Sequence, residues 1–553
     1  MFRRRVKHTQ RFQEVLNAFL KNGFSHFLFR IGLIDRERTS DDINMNMQDI
    51  GMKLRNTLQQ LGPTFIKLGQ IASGRSDLIP SEITTELEKL QDDVAAIDFE
   101  KIKATIEDEL GQPLNELFAT FNEEPLATAS IGQVHIASMH TGEEVAVKIQ
   151  RPSIEKTMNT DLEILHDFAK FLEDHFLWAR TYRLREMMDE FAYSLRNELD
   201  YMIEGRNAEK IERQFCEDET IHIPKIFWPH TTKKVLTMEM IHGIKVNHFD
   251  KLDAHDYDRK LIASRIANAM FEQILIGGFF HGDPHPGNIY ILPRNRIAFL
   301  DFGMVGQISE NMKYNFTSLI IHLQLGNTKG MIKTFSKMNM IDSETDREAL
   351  YRDLDYLQAR YYDQPMKEIS LGKVITEVFD IAYKHDMQLP NDITILGKTI
   401  ITMEKIISEL DPNFSIMSAV EPFGKRLMKD RLNPKFIAKQ SWEQFSNNVE
   451  ILSELPQDVK DVTTTLKKGK LRFDINVSDL PVFLKRLDKI SNRLSFSIIL
   501  LSFSILMVGL IVGASIADQT TLLWRLPVIE IGSVVASLLF LFMIFSIIRS
   551  GRM

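Results

Sequence analysis

His281–Gly303 reads HGDPHPGNIYILPRNRIAFLDFG, and the order of its polar residues decides what kind of domain the chain builds. Pro284 and Pro286 bar a helix between Asp283 and Asn288 and favour a rigid loop. The apolar runs IYIL and RIAFL on either side of Pro293–Asn295 predict a hairpin. That hairpin would present Asp301 and the following Phe302-Gly303 beside Asn288. Two carboxylates and one amide gathered this way are what phosphoryl transfer from a nucleotide needs. One carboxylate stands near the accepting oxygen, and the other, with a neutral oxygen, holds magnesium.

Working outward, Asp283 and Asn288 keep the five-residue interval of the kinase catalytic loop, H-R-D-x-x-x-x-N. Asp283 is read as the residue that orients the nucleophile, Asp301 as the main magnesium ligand and Asn288 as its helper. Upstream, VAVK ends at Lys148, matching the strand lysine that pairs with nucleotide phosphates. Its helical glutamate must be chosen among several; Glu204 is favoured, with Glu198 and Asp200 of NELDYMIE as nearest competitors. Where a protein kinase carries G-x-G-x-x-G, this chain has PLATASIGQV, with Ala127, Thr128, Ala129 and Ser130 before the lone Gly132. Their Cβ atoms restrict positive φ, so the loop approaches phosphate differently. In LTMEMI, Met238, Glu239 and Met240 resemble a hinge strand whose backbone would bond adenine. His281 and His285 share no helix face and have no evident third ligand, so zinc is set aside and His281 is read as a brace for the loop.

Taken together, KLGQ at Lys67–Gln70, ATASIGQV, VAVK, ELDYMIE, HGDPHPGN and LDFG resemble the AarF/UbiB family of atypical kinases. The resemblance implies an α+β, protein-kinase-like bilobal fold with an N-terminal helical extension, and ATP and Mg2+ as cofactors. It implies that Lys67, Gly69 and Gln70 lie over the active site as a regulatory segment, in interaction with Glu198 and Asp200. Glu204 then matches the helix glutamate that pairs with Lys148. Thr128 departs from the family's alanine triplet, which bears on the loop's nucleotide preference. Members are linked to ubiquinone or other isoprenoid-lipid metabolism, and their activity resembles lipid-stimulated ATP hydrolysis more than protein phosphorylation. The implied partners are a membrane lipid or quinone precursor, quinone-biosynthesis proteins and a second copy of the chain as a homodimer. No A-P-E signature follows Gly303, which independently weakens a peptide substrate.

The 553 residues exceed one compact core. A net charge of −8 gives no field for phosphate backbones, so no nucleic acid is expected. The single cysteine, Cys216, asks for no oxidising compartment. Apolar residues Leu54, Leu58, Leu61, Phe65 and Leu68 keep helical spacing, with Pro63 marking a break or a start. The stretch Leu494–Ile516 carries no charge, and Leu526–Ile548 carries only Glu530, so both have the length of a bilayer core. Lys485, Arg486, Lys489 and Arg493 before them and Arg549 and Arg552 after them place both flanks in the cytoplasm. The expected layout is a helical extension over 1–110, a kinase-like domain over 111–460, a linker over 461–493 and a transmembrane hairpin over 494–548 in the inner membrane. The lobes of the kinase-like domain are expected over about 111–241 and 242–460. The rival readings are a small-molecule phosphotransferase, against which the Lys67 segment argues, and a nucleotide-sensing scaffold without turnover.

Overall fold

The helical spacing of the first hundred residues produces α1 (Phe2–Lys21), α2 (Met47–Leu61), α3 (Pro63–Ser73) and α4 (Ser81–Leu87). A computed structural model describes residues 2–25, 46–75, 79–90 and 96–431, save 182, 342–344, 363, 365–367 and 386, with scattered positions between 494 and 538. Pro63 occupies the first turn of α3, where its missing N–H costs no helical bond. Ala18, Leu58, Leu61, Phe65, Ile83, Leu87 and Leu90 form this region's own buried cluster.

The next helix, α5 (Phe99–Leu110), is capped by Asp98, which accepts from Glu100 N at 3.0 Å. Its buried Ile102 and Ile106 pack on Val145, Val147, Ile149 and Val235 of the sheet that follows. The expected boundary at residue 110 is therefore too late: α5 buries its apolar face on the sheet and belongs with it. That sheet contains β1 (Thr120–Phe121), β2 (Ala127–Thr128), β3 (Gly132–Ser138) and β4 (Glu144–Gln150). Helices α6 (Ile154–His175), α7 (Leu184–Glu198) and α8 (Tyr201–Glu212) come next, then β5 (Ile221–His222) and β6 (Val235–Glu239). The antiparallel order is β1-β3-β4-β6, with β2 also on β3, and it sets Lys148 opposite Val134 and Leu236.

The second lobe begins with β7 (Ile244–Lys245) and α9 (Arg259–Phe271). Strands β8 (Phe279–His281), β9 (Ile289–Leu292), β10 (Arg296–Phe299) and β11 (Val305–Gln307) follow. The hairpin expected around Pro293–Asn295 is β9 and β10, paired from Arg296 with Leu292 to Phe299 with Ile289. Sheet order is β5-β10-β9-β7, and β8 pairs separately with β11. Helices then take over, among them α10 (Glu310–Gln324), α11 (Leu371–Lys384) and α12 (Asn391–Leu410). Fully buried Ile262, Ile266 and Phe271 of α9 share one core with Ile400, Met403 and Ile407 of α12.

The chain divides into a unit over Met1–Lys439 and a second over Gln440–Met553. The expected linker and most of the expected hairpin lie outside the described residues. Among the described residues, no helix is long and apolar enough to cross a membrane. In the second unit, the described positions Leu494, Ile498, Leu501, Ile505, Val508 and Val512 are helical, exposed and apolar.

Candidate active site

The loop after β8 is built around His281, which is wholly buried. Its Nε2 bonds Leu300 O at 2.9 Å, while Asp283 N donates to its Nδ1 at 3.1 Å, which assigns the proton to Nε2. Burial pushes the imidazole below its ordinary value, so it stays neutral in this role. His285 N donates to Asp283 O at 2.7 Å, and Asn288 Nδ2 donates to the same carbonyl at 3.3 Å. From the far side, Thr399 of α12 donates to Gly282 O at 3.1 Å. The loop is thus held by the backbone of Leu300, by α12 and by its own turns, with the Asp283 carboxylate left at the cleft.

Lys148 of β4 donates to both carboxylate oxygens of Glu204 at 2.9 Å and lies 3.8 Å from Asp301 Oδ1. Glu204 is therefore the helical partner, and its competitors are not. Burial lifts the Glu204 carboxyl to about 7, against the pull of Lys148. Burial likewise opposes the Lys148 ammonium, but Asp301, Glu204 and Tyr201 outweigh it and hold its pKa well above the ordinary lysine value. The ammonium stands 5.1 Å over the ring of wholly buried Tyr201. Gly132 is required here by close approach: a Cβ on it would stand 2.5 Å from the Tyr201 hydroxyl and 2.6 Å from Ile149 O.

Asp301 adopts φ 59°, a left-handed conformation that costs a side-chain-bearing residue about 1 kcal/mol or more and recurs at functional positions. Gly303 N donates to its Oδ1 at 3.2 Å, and Asn207 Nδ2, one turn beyond Glu204 on α8, donates to Phe302 O at 3.0 Å. One helix therefore positions both the lysine partner and the Asp301 turn. Lys148 holds the Asp301 carboxyl down to about 2 against desolvation, with Lys67 and the Gly303 N–H adding to the effect. Leu300 N donates to Asn288 O at 2.8 Å, so Asn288 and Asp301 sit on adjoining segments. Among the described residues, no group of three His, Cys, Asp or Glu side chains can hold a metal alone. A carboxylate and an amide oxygen do fit magnesium, which binds one or two protein groups and completes its shell with phosphates and water.

The Lys67 segment is α3, and Lys67 Nζ meets Glu198 Oε1 of α7 at 2.5 Å. Gly69 lets α3 approach its neighbours, since a Cβ there would meet Leu90 Cδ1 at 2.2 Å and Leu58 Cδ1 at 2.8 Å. Gln70 Nε2 donates to Leu90 O at 3.4 Å. Asp200 is placed differently from Glu198: its carboxylate caps α8, accepting from Met202 N at 3.1 Å, with Lys233 4.0 Å away.

Ala127 and Thr128 form β2, and Ala129 N donates to Gly132 O at 2.8 Å to close the turn. Arg151 Nε donates to Ala129 O at 2.9 Å. Ser130 is wholly buried, and its hydroxyl has no hydrogen-bond partner among the described residues. In the expected hinge, Glu239 N donates to Lys225 O at 2.8 Å and Met240 N to Glu144 O at 3.1 Å. Sequence reasoning missed Tyr201, Asn207 and Thr399; Asn207 was reachable from its one-turn spacing to Glu204, the others carry no local signal.

Three comparisons extend these findings. Residues 89–335 match the ABC1 atypical kinase-like domain, 354–415 the UbiB helical domain and 478–549 the ABC1/UbiB kinase-like C-terminal domain. An uncharacterized protein of Synechocystis sp. is 34% identical over 78% of this chain and 75% of its own length. A probable protein kinase UbiB of Xanthomonas oryzae is 32% identical over 81% of this chain and 82% of its own. A solved Mycobacterium tuberculosis protein in complex with erythromycin is 24% identical, with TM-score 0.46, over 68% of this chain and 95% of its own.

Proposed function

Because the chain belongs to the AarF/UbiB family of atypical kinase-like proteins, we propose that it is an ATP-dependent kinase or ATPase that binds Mg-ATP at a membrane surface and supports isoprenoid quinone or related lipid metabolism. The observation that carries this reading is the convergence of Lys148, Glu204 and Asp301, with Lys148 Nζ 2.9 Å from Glu204 and 3.8 Å from Asp301. Lys148, oriented by Glu204, grips the phosphates. Asp301 and Asn288 hold magnesium, whose charge when bound offsets that of the phosphate oxygens. Asp283, kept in place by His281, orients the nucleophile, water or a substrate hydroxyl. The Ala127–Ser130 turn and the Glu239–Met240 strand flank the nucleotide. The exposed apolar helical positions between 494 and 512 support attachment to the inner membrane. A lipid or quinone precursor is proposed as ligand, and quinone-biosynthesis proteins or a second copy as partners.

Phosphate release from the purified full chain in lipid vesicles, with and without quinone-like headgroup compounds, tests this reading beside Asp301→Asn. Release that depends on Asp301 and rises with the headgroup compounds is expected. Equal, negligible release from both proteins would favour a nucleotide-sensing scaffold, and efficient phosphorylation of a soluble amine or alcohol a small-molecule phosphotransferase.

A further inference from the structure

Between Asp283 and Asn288 the catalytic loop reads Pro284, His285, Pro286, Gly287, with no cation of fixed charge. An ammonium nevertheless reaches Asp283 from elsewhere in the fold. Lys398 of α12 lies with Nζ 3.9 Å from Asp283 Oδ1, and its side chain is only 21% exposed. That separation gives attraction without a hydrogen bond. No hydrogen bond from this ammonium is found among the described residues, although Glu88 also lies within its electrostatic reach.

The placement of Lys398 is determined on both sides. Thr399, the next residue, donates to Gly282 O at 3.1 Å, while a Cβ on Gly74 at the end of α3 would stand 3.3 Å from Lys398 Cδ. Leu68, Ile71, Met187 and Ile395 line the pocket around it, with Arg75 and Glu190 also on its wall. An ammonium with unspent donors, in a mostly apolar wall near the carboxylate that orients the nucleophile, is preorganised for charge developing on a phosphoryl group.

We propose that Lys398 is a further catalytic residue, whose ammonium binds the oxygens of the γ-phosphoryl group as that group passes to the nucleophile at Asp283. The inference rests on the reading of this site as one that turns over Mg-ATP. In the step, the bond from the γ-phosphorus to the β,γ-bridging oxygen breaks and its electron pair leaves with ADP. The oxygen of water or an alcohol forms the new bond to phosphorus. The nucleophile's proton passes to Asp283 and then to solvent or to the phosphate released. Lys398 keeps its proton and contributes charge alone.

Lys398→Met keeps the stem against Gly74 and removes the charge. The full chain in phosphatidylglycerol-containing vesicles is assayed for phosphate release from Mg-ATP. Calorimetry measures binding of Mg-ADP alone and of Mg-ADP with aluminium fluoride, a mimic of the planar phosphoryl group. The variant is expected to lose about a hundredfold in kcat. It should bind Mg-ADP within about twofold of wild type but the fluoride complex at least about tenfold more weakly, because only the latter presents charge at Lys398. A variant equal to wild type in kcat and in fluoride-complex affinity overturns the inference and leaves the ATPase reading intact. So does one that loses Mg-ADP binding and thermal stability together, which makes Lys398 structural. A wild-type chain that binds Mg-ADP yet releases no phosphate overturns the turnover reading, and this inference with it.

Discussion

Two lysine–glutamate pairs face the same cleft and differ in what stands behind them. Lys148 and Glu204 are 14% and 7% exposed, and Lys67 and Glu198 are 17% and 22% exposed, so both pairs are largely shielded. The first joins β4, whose Val145, Val147 and Ile149 pack with α5, to α8, whose Tyr201, Ala208 and Ile211 belong to the main core. The second joins α3, whose Phe65 shares a separate cluster with Leu58 and Leu61 of α2, to α7. Both pairs therefore join separately packed regions, and they differ in that Lys148 of the inner pair also stands 3.8 Å from Asp301.

Breaking the inner site should have the larger effect. Asp301→Asn removes the carboxylate placed 3.8 Å from Lys148 and is expected to lower phosphate release by about a hundredfold or more. It should also abolish the magnesium dependence of nucleotide binding in calorimetry. Wild-type turnover in this variant would mean that the inner pair serves packing alone. Glu204→Gln should cost about tenfold, since it leaves Lys148 oriented by a neutral amide. Its sharper signature is in pH. With a carboxyl lifted to about 7, Glu204 takes up a proton as pH falls through neutrality, so wild-type turnover should fall on that limb and the glutamine variant should lack it. Linkage gives stability the opposite sign: relative to the ordinary glutamate value of 4.5, this group's contribution is complete below pH 4.5 and is lost as pH rises through about 7.

Gly132→Ala sharpens the comparison by pressing on the core behind the inner pair. The added Cβ collides with the Tyr201 hydroxyl at 2.5 Å and with a backbone carbonyl at 2.6 Å, neither of which yields freely. An overpacking cost of about 1–3 kcal/mol is expected, read as a lower melting temperature that bound Mg-ADP only partly restores. An unchanged melting temperature would show that β3 can shift away from Tyr201.

The inner site was legible in the sequence for a physical reason. Its loop residues act through local constraints: prolines that exclude a helix at 284 and 286, a hairpin around Pro293–Asn295, and a strand ending on Lys148. Choosing Glu204 over Glu198 and Asp200 required the helix phase, and only the coordinates separate a core ion pair, a fastening at Lys67 and a cap on α8. Lys398 and Thr399 were not legible, because they reach the loop from more than a hundred residues along the chain. The boundary at 110 failed because α5 has the same amphipathic spacing whether it packs on helices or on a sheet.

The smallest effect belongs to the outer pair. Lys67→Ala leaves Glu198 partly exposed to water, so the pair's loss should change global stability by about 1 kcal/mol or less. Because α3 keeps its own cluster with α2 and α4, it should stay helical while its attachment to α7 loosens. Hydrogen exchange should then quicken across Pro63–Ser73 and Leu184–Glu198, with β4 and α8 as protected as in wild type and Mg-ADP affinity within about twofold. Protection lost equally in β4 would show that the two regions unfold as one and that Lys67 supports the nucleotide site directly.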